Sequence, residues 1–562
     1  MRRLTLLLLI ISILGAGCQS QVPEASNGTG TPADGLTVAF NQPLAGFPDA
    51  DRRDAQGGDL VRTLTAAIDA TRSSLDVAVY HLRDEGVLAA LDRACRRGVE
   101  VRLLVEDDGS RPTALPDCVR LTLDGNDRLM HHKFAVLDDA SVWVGSANWT
   151  STSFYDDANN AVIIRDEAIA EAFRHEFGQM VVSGDYGRAK RDVHPERFTL
   201  NDQSVEIHFG PEDDPRKRLL ELIEGADESL RIAMNILTDD PLADAIRQAQ
   251  ERGVTVDALW DFQSWDMCQF SEAEEFVGDG LGTWDALPGL LHDKFAVIDG
   301  ETVVTGSANW SASGMERNDE TILIIHSDRV AAQYATEFEE LRDDAQSYSA
   351  NATAPPRVER RHFQSVRDGA LIQWRPRPMD VVERYEVCRL VRSASSECEA
   401  TIERPGWAWY AVDRGVEPGE TVWYRVRGFD GETWSPYSNV YRATVPEAIP
   451  VLTADEAKRR LSEFRDETVS VQFRVVNEPR QIGENGHVFL NASEDYQTDF
   501  TAFVAGCTLP RFNGSGLDLF DLGGRRIEVT GELEEFDGPE IVVTGPWQLR
   551  VLPASSSAAD GK

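Results

Sequence analysis

The chain has 562 residues, is 42% hydrophobic and carries a formal charge of −39. That length calls for several domains, and that apolar content excludes both a disordered chain and a polytopic membrane protein. So acidic a surface repels polyanions at long range, although salt screens much of the effect, and charge alone names no partner.

In chain order, MRRLTLLLLIISILGAGCQS comes first, with two arginines, an apolar run from Leu4 to Leu14 and small residues before Cys18. The run is too short to span a bilayer and fits a signal-peptide core. The Gly-Ala-Gly before Cys18 resembles a bacterial lipoprotein processing site, departing from it at Gly15, where leucine is usual. Residues 1–18 are therefore expected to be a signal peptide ending in a lipidated Cys18, and 19–35 a flexible tether. The expected location is the cell envelope or, with simple secretion, the exterior. Export permits disulfides. Cys388 and Cys398 flank a short polar loop and are the favoured pair; Cys95 with Cys118 ranks second, and the cysteine spacings match no zinc pattern.

Two tandem units follow, 36–195 and 196–350. Ser74–Val99 matches Ser229–Val254 at an offset of 155, and LMHHKFAVLDDASVWVGSANWT from Leu129 matches LLHDKFAVIDGETVVTGSANWS from Leu290 at an offset of 161. Each copy predicts an amphipathic helix, a strand, a helix ending at Arg-Gly and another strand, an α/β unit around a buried sheet. Within the motif, Lys-Phe-Ala-Val begins one strand and Gly-Ser-Ala-Asn ends its neighbour, so both can face one place.

After a polar, Pro-containing break, residues 356–446 read as short strands separated by turns, a β-sandwich. VEPGETVWYRVRGFDG followed by SPYSNV resembles a fibronectin type III domain, with Tyr424 as the corner tyrosine and Trp374 as the core tryptophan. Residues 450–554 open with a helix-like TADEAKRRLSEF and continue as five strands, resembling an OB-fold, a small β-barrel. Residues 555–562 read as a disordered tail. The expected role of these modules is spacing or docking, with nucleic-acid binding by the OB-like unit the lesser alternative because it is acidic and shows no obvious basic, aromatic-rich face.

The repeated polar residues point to chemistry. A neutral imidazole attacks phosphorus well, and a protonated one is a good acid for a leaving alcohol. Two histidines in one site can thus split a displacement into two easier steps. Lysines and asparagines supply donors where charge develops on the non-bridging oxygens, and no metal or other cofactor is called for.

Both copies resemble the HKD motif of the phospholipase D superfamily, His-x-Lys-x4-Asp-x6-Gly-Ser-x-Asn. They are His131, Lys133, Asp138, Gly145, Ser146 and Asn148, then His292, Lys294, Asp299, Gly306, Ser307 and Asn309. The resemblance implies two pseudo-symmetric repeats sharing one active site. It implies a nucleophile and acid/base pair in His131 and His292, and phosphate binding by Lys133, Lys294, Asn148 and Asn309. It also implies orienting roles for Asp138 and Asp299, with hydrogen-bond support from Ser146 and Ser307. A downstream carboxylate that holds the histidine ring is matched by Glu320, 28 residues after His292; the equivalent position after His131 is Asn159. The expectation is therefore Glu320 beside a protonated acid, His292, and Asn159 beside a neutral nucleophile, His131. His81 and His132 are expected to be bystanders, and Trp149 and Trp310 to pack in the core.

The implied activity is a metal-independent phosphodiesterase working through a phosphohistidine, with a phospholipid headgroup bond as the favoured substrate. An extracytoplasmic endonuclease acting on DNA or RNA is the alternative, and a non-catalytic surface binding protein a second one. The expected partners are the phosphodiester substrate, the membrane through the lipid anchor, and whatever the C-terminal modules dock.

Overall fold

A computed structural model of the chain describes residues 35–553 apart from 42–58, 108–111, 113–114, 127, 192–196, 263–270, 288, 351–354, 360–365, 376–381, 393–396, 407, 439, 446–448, 466, 483–485, 496–497, 514 and 536–537. The signal segment with Cys18, nearly all of the tether and the C-terminal tail lie outside these residues, as does Cys268.

The first unit supplies β1 (Leu36–Asn41), β2 (Ser74–Val79), β3 (Glu100–Val105), β4 (Arg120–Leu123), β5 (Lys133–Leu137), β6 (Ser141–Gly145) and β7 (Asn159–Ile164). They form one sheet in the order β1-β7-β6-β5-β2-β3-β4. The second unit supplies β8 (Arg197–Leu200), β9 (Gln203–Gly210), β10 (Ser229–Met234), β11 (Thr255–Trp260), β12 (Thr283–Trp284), β13 (Lys294–Ile298), β14 (Thr302–Gly306) and β15 (Glu320–His326). Their order, β12-β11-β10-β13-β14-β15-β9-β8, repeats the first sheet with one strand added at the β9 edge. β2 and β3 run parallel, joined by the helix Glu85–Arg96, whose first N–H groups are capped by Asp84; β10, β11 and the helix Asp240–Glu251, capped by Asp239, do the same. A crossover helix between parallel strands is what the repeated helix-then-strand pattern predicts.

One continuous apolar cluster spans both sheets. It contains Phe134 and Val144 from the first, Phe295 and Val303 from the second, and Phe173 and Tyr334 from the helices Glu167–Gly178 and Asp328–Ala350. Burial on this scale fixes the sheets against each other, so residues at their facing ends are held in register. Trp149 and Trp310 are buried in two further apolar clusters, one in each half, as core residues.

Beyond the tandem units, a three-stranded sheet (Val358–Glu359, Ala370–Trp374, Tyr410–Asp413) faces a four-stranded one (Cys398–Pro405, Arg384–Leu390, Thr421–Phe429, Tyr441–Thr444) across a shared core that includes Trp374 and Tyr424. The last unit departs from the closed barrel expected of it. Its strands make two four-stranded sheets, Val451–Thr453, Thr468–Arg474, Arg526–Glu532, Leu549–Val551 and Val488–Asn491, Thr501–Val504, Pro539–Val542, Glu534–Glu535. The chain switches sheets at buried Leu533, which bridges to Arg465 instead of continuing either ladder. Cys95–Cys118 and Cys388–Cys398 are disulfides, with Cα separations of 5.9 and 5.3 Å, and Cys507 is disulfide-bonded too.

Candidate active site

β5 and β13 occupy equivalent central places, and every residue of both is buried. They begin at Lys133 and Lys294, which lie opposite Val79 and Met234, the last residues of β2 and β10. His131 and His292 immediately precede them. Each histidine segment leaves its own sheet to bridge the other half: His131 N donates to Asp319 O and His292 N to Ala158 O, both at 2.9 Å. Met130 thereby pairs with Asp319, and Leu291 with Ala158.

This crossing reverses the expected partners. His131 Nδ1 lies 2.8 and 2.9 Å from the two carboxylate oxygens of Glu320, and His292 Nδ1 lies 2.8 Å from Asn159 Oδ1. Glu320 therefore serves the histidine of the opposite repeat, not His292, and Asn159 serves His292, not His131. The physical reason is that β7 and β15 deliver their first residues across the junction between the halves.

Both tautomers follow from these partners. An ionised Glu320 only accepts, so His131 carries its proton on Nδ1. The Asn159 amide group is spent on the Ser153 carbonyl, Nδ2 to O 2.9 Å, which turns Oδ1 toward His292 and makes Nδ1 the donor there too. Ser307 Oγ donates to Glu320 at 2.5 Å and Ser146 Oγ to Asn159 at 2.9 Å, so the two serines brace the two partners. Nδ1 of each ring is thereby committed, which leaves Nε2 as the nitrogen for chemistry; the Ser146 backbone also hydrogen-bonds the His292 ring.

The glycine of each motif permits this bracing. A Cβ on Gly145 would stand 2.2 Å from Asn160 O, and one on Gly306 2.1 Å from Thr321 O. Only a residue without Cβ lets the serine N–H groups reach those carbonyls, at 3.0 and 2.9 Å.

Lys133 and Lys294 each donate to the carbonyl of their own motif histidine at 2.7 Å. The amide oxygens of Asn148 and Asn309 are buried with no partner among the described residues; as acceptors they suit a donor such as a water or hydroxyl proton, not a phosphate oxygen. Burial pushes His131 down to about 4, against the opposing pull of Glu320, and pushes His292 well below its ordinary value, helped by both lysines. Burial also lowers Lys133 well below the usual lysine range and Lys294 to about 8. Burial alone would raise Glu320; His131, Lys133 and Ser307 together hold it below the usual carboxylate value. Two neutral imidazoles among crowded cations are prepared for an anion that has yet to arrive.

Asp138 and Asp299 are corrected from site residues to structural ones. Each sits at the far end of its five-residue strand, about 15 Å from the lysine at the start. Asp138 accepts from the N–H groups of Arg72, Ser73 and Ser74, and Asp299 from those of Asp227, Glu228 and Ser229, tying down the starts of β2 and β10. Of the bystander histidines, His132 is fully buried between Thr321 Oγ1 and Glu176. His81 stacks on Tyr80 at 4.0 Å.

Three features went unnoticed in the sequence. The Tyr80 ring lies 5.0 Å from the His131 ring, and Lys133 Nζ lies 5.3 Å from the Tyr80 ring. Glu106 and Asp261 accept the N–H groups of Met130 and Leu291, the residues just before the histidines, at 2.6 and 3.1 Å. Asp124 and Asp285 organise the loops leading to those residues, taking the N–H groups of Asn126 and Leu287. The acids lie at the same offsets as the matching strands and motifs, 155 and 161, so the repeat itself carried the signal.

A family model described as cardiolipin synthase, PLD-like domain matches residues 64–181 and again 219–342. A phospholipase D from Rickettsia prowazekii is 31% identical over 136 residues, 24% of this chain and 66% of that protein. One from Rickettsia conorii is 31% identical over 24% of this chain and 68% of its own length. A mitochondrial cardiolipin hydrolase from Xenopus tropicalis is 34% identical over 125 residues, 22% of this chain and 59% of that protein. The chain thus spans about two thirds or less of the curated relatives it matches. Among solved structures, the phospholipase D family member Nuc from Salmonella typhimurium is 25% identical over 25% of this chain and 96% of its own, with a TM-score of 0.24. The family match to both tandem units, with relatives above 30% identity, places this chain in the phospholipase D superfamily.

Proposed function

We propose that the chain is a phosphodiesterase that hydrolyses phospholipid headgroup bonds through a phosphohistidine on His131, without a metal. The observation that carries this is the pair of buried imidazoles, each fixed at Nδ1 by a partner from the other half and each under the influence of both lysines. His131 Nε2 attacks phosphorus and His292 gives its Nε2 proton to the departing alcohol oxygen, so a P–N bond replaces a P–O bond. His292 then takes a proton from water, whose oxygen attacks phosphorus and breaks the P–N bond.

The exchange of partners removes the expected ground for these roles, a carboxylate that keeps the acid protonated, and offers another. An imidazole that attacks phosphorus becomes cationic, and the Glu320 carboxylate stabilises that charge. An acid must surrender its charge readily, and a neutral amide beside His292 leaves it free to do so. The anionic substrate, arriving between the lysines, raises both rings toward the protonated form and supplies the proton-holding state that the empty site resists.

Substrate class is supported by charge. Buried carboxylates of Glu106 near Lys133 and of Asp157, Asp261 and Asp293 near Lys294 already face the two lysines, and the chain as a whole carries −39. A polyanion meets more repulsion here than a single diester with a neutral or zwitterionic headgroup. The relatives named phospholipase D and cardiolipin hydrolase point the same way. Export and lipidation at Cys18 belong to this proposal. So do the fibronectin type III-like and OB-like identities, the first supported by buried Trp374 and by Tyr424 Oη donating to Asp413 at 2.9 Å.

The test is a parallel assay in excess EDTA, with phosphatidylcholine and phosphatidylethanolamine vesicles against single-stranded and duplex DNA. Headgroup release abolished in both His131→Ala and His292→Ala supports the proposal. Strand cleavage abolished in the same two variants replaces it with a nuclease, and undiminished turnover in either variant removes the catalytic pair.

A further inference from the structure

The two loops that lead to the histidines are built alike. In the first, Asp124 N donates to Val105 O, and Asp124 takes the Asn126 backbone N–H at 3.1 Å. In the second, Asp285 N donates to Trp260 O, and Asp285 takes the Leu287 N–H at 2.7 Å. They differ in side-chain donors. Asn126 Nδ2 reaches both oxygens of Asp124, at 3.1 and 3.2 Å, so the first loop supplies its own aspartate with a side-chain donor. The residue in the same place in the second loop is Leu287, which has nothing to donate. Its aspartate is met instead by Arg375, at the end of the sandwich strand Ala370–Trp374, with both terminal nitrogens 3.4 Å from Asp285 Oδ1.

This contact is deep. The Arg375 and Asp285 side chains are 5% and 0% exposed. The guanidinium also lies 4.6 Å from the centre of the Phe262 ring, and Phe262 N donates to the other Asp285 oxygen at 2.7 Å. Asp261, the residue before Phe262, takes the N–H of Leu291, the residue before His292. A run of buried contacts therefore leads from the sandwich to the catalytic segment.

We infer that Arg375 is a positioning residue for His292: the sandwich lends the second repeat the donor that Asn126 gives the first, and so completes the active site instead of merely flanking it. This rests on the reading of His131 and His292 as the catalytic pair. A buried carboxylate without its donor either takes up a proton or draws in water, and each outcome loosens the loop it organises.

The experiment uses the full chain with Arg375→Met, which keeps the stem and removes the charge, and Arg375→Lys, which keeps a charge. Amide hydrogen exchange is followed over the segment from Asp285 to His292, with Asp124 to His131 as the internal reference. The expected result is that Arg375→Met loses about tenfold or more of the protection in the second segment, leaves the first unchanged, and is partly restored in Arg375→Lys. In the same variants kcat on a soluble phosphodiester falls by about tenfold while KM stays within about twofold. Unchanged protection in the second segment overturns the inference, as does equal loosening of both, which is what a purely docking role predicts. If the wild-type chain turns over no phosphodiester, the catalytic reading fails by itself, and exchange still decides whether Arg375 holds the loop.

Discussion

The two halves of the site are near copies in backbone and unlike in charge. His131 faces a carboxylate and sits beside the ring of Tyr80; His292 faces an amide, and Asn235 stands where Tyr80 does, donating to Leu291 O at 3.1 Å. Pseudo-symmetry gives both histidines a fixed tautomer and a lysine, and the differences are what the proposed division of labour rests on. Binding a phosphate is a symmetric requirement, whereas attacking and protonating are not.

The largest effect should come from removing either ring. His131→Ala and His292→Ala are each expected to lower kcat by about 10⁴-fold, with melting temperature near that of the wild type. Rapid quenching of the His292→Ala protein with labelled diester should find the label on His131; label on His292 in the reciprocal variant would invert the roles.

Next is the charge difference itself. Glu320→Gln makes the halves chemically alike and should cost about 100-fold in kcat with little change in KM, whereas Asn159→Ala should cost nearer tenfold. Equal losses in the two would mean that orientation alone matters and the carboxylate charge does not.

The pH profile sharpens the same point. The proposed acid, His292, is held well below its ordinary value in the free enzyme, so kcat/KM should already fall as pH rises and that ring loses its proton, with a further fall past about 8 as Lys294 loses its charge. The acid limb should lie near 4, where His131 takes up a proton and stops being a nucleophile. Stability follows its own sign. Both rings resist protons that the unfolded chain accepts, so stability is complete above about 6.5 and drains away as pH falls toward 4. Thermal melts across that window would read it.

The smallest catalytic effect belongs to the aspartates at the far ends of β5 and β13. Asp138→Ala and Asp299→Ala each release three backbone donors and should cost about 1–2 kcal/mol of stability while kcat stays within a few-fold. A loss as large as that of a histidine variant would return them to the site.

Much of this site was legible because it is written twice. The repeat offsets, the alternation of helix and strand and the repeated polar set made the two units visible, and the structure brings the two motif histidines and their lysines together. Spacing could not say which half a side chain serves: Glu320 follows His292 by 28 residues and yet holds His131, because the bridge between Asp319 and Met130 is a tertiary fact. Nor could spacing say that Asp138 and Asp299, expected to orient the site, act at the far ends of β5 and β13, where each takes three backbone N–H groups. The last unit misled for another reason. Its strands were visible, but the break at Leu533 that divides them between two sheets has no signature beyond one more apolar residue in a strand.

The exchange of partners across the junction also bears on how such a site could have arisen. Two identical single-copy chains related by a two-fold axis would have to set the same residue beside both histidines, either two carboxylates or two amides. A change that improved the attacking ring would alter the proton donor in the same stroke. Joining the copies in one chain removes that bond: position 159 can drift to asparagine while position 320 stays glutamate. Covalent linkage here is a licence for asymmetry, one that a symmetric dimer cannot hold.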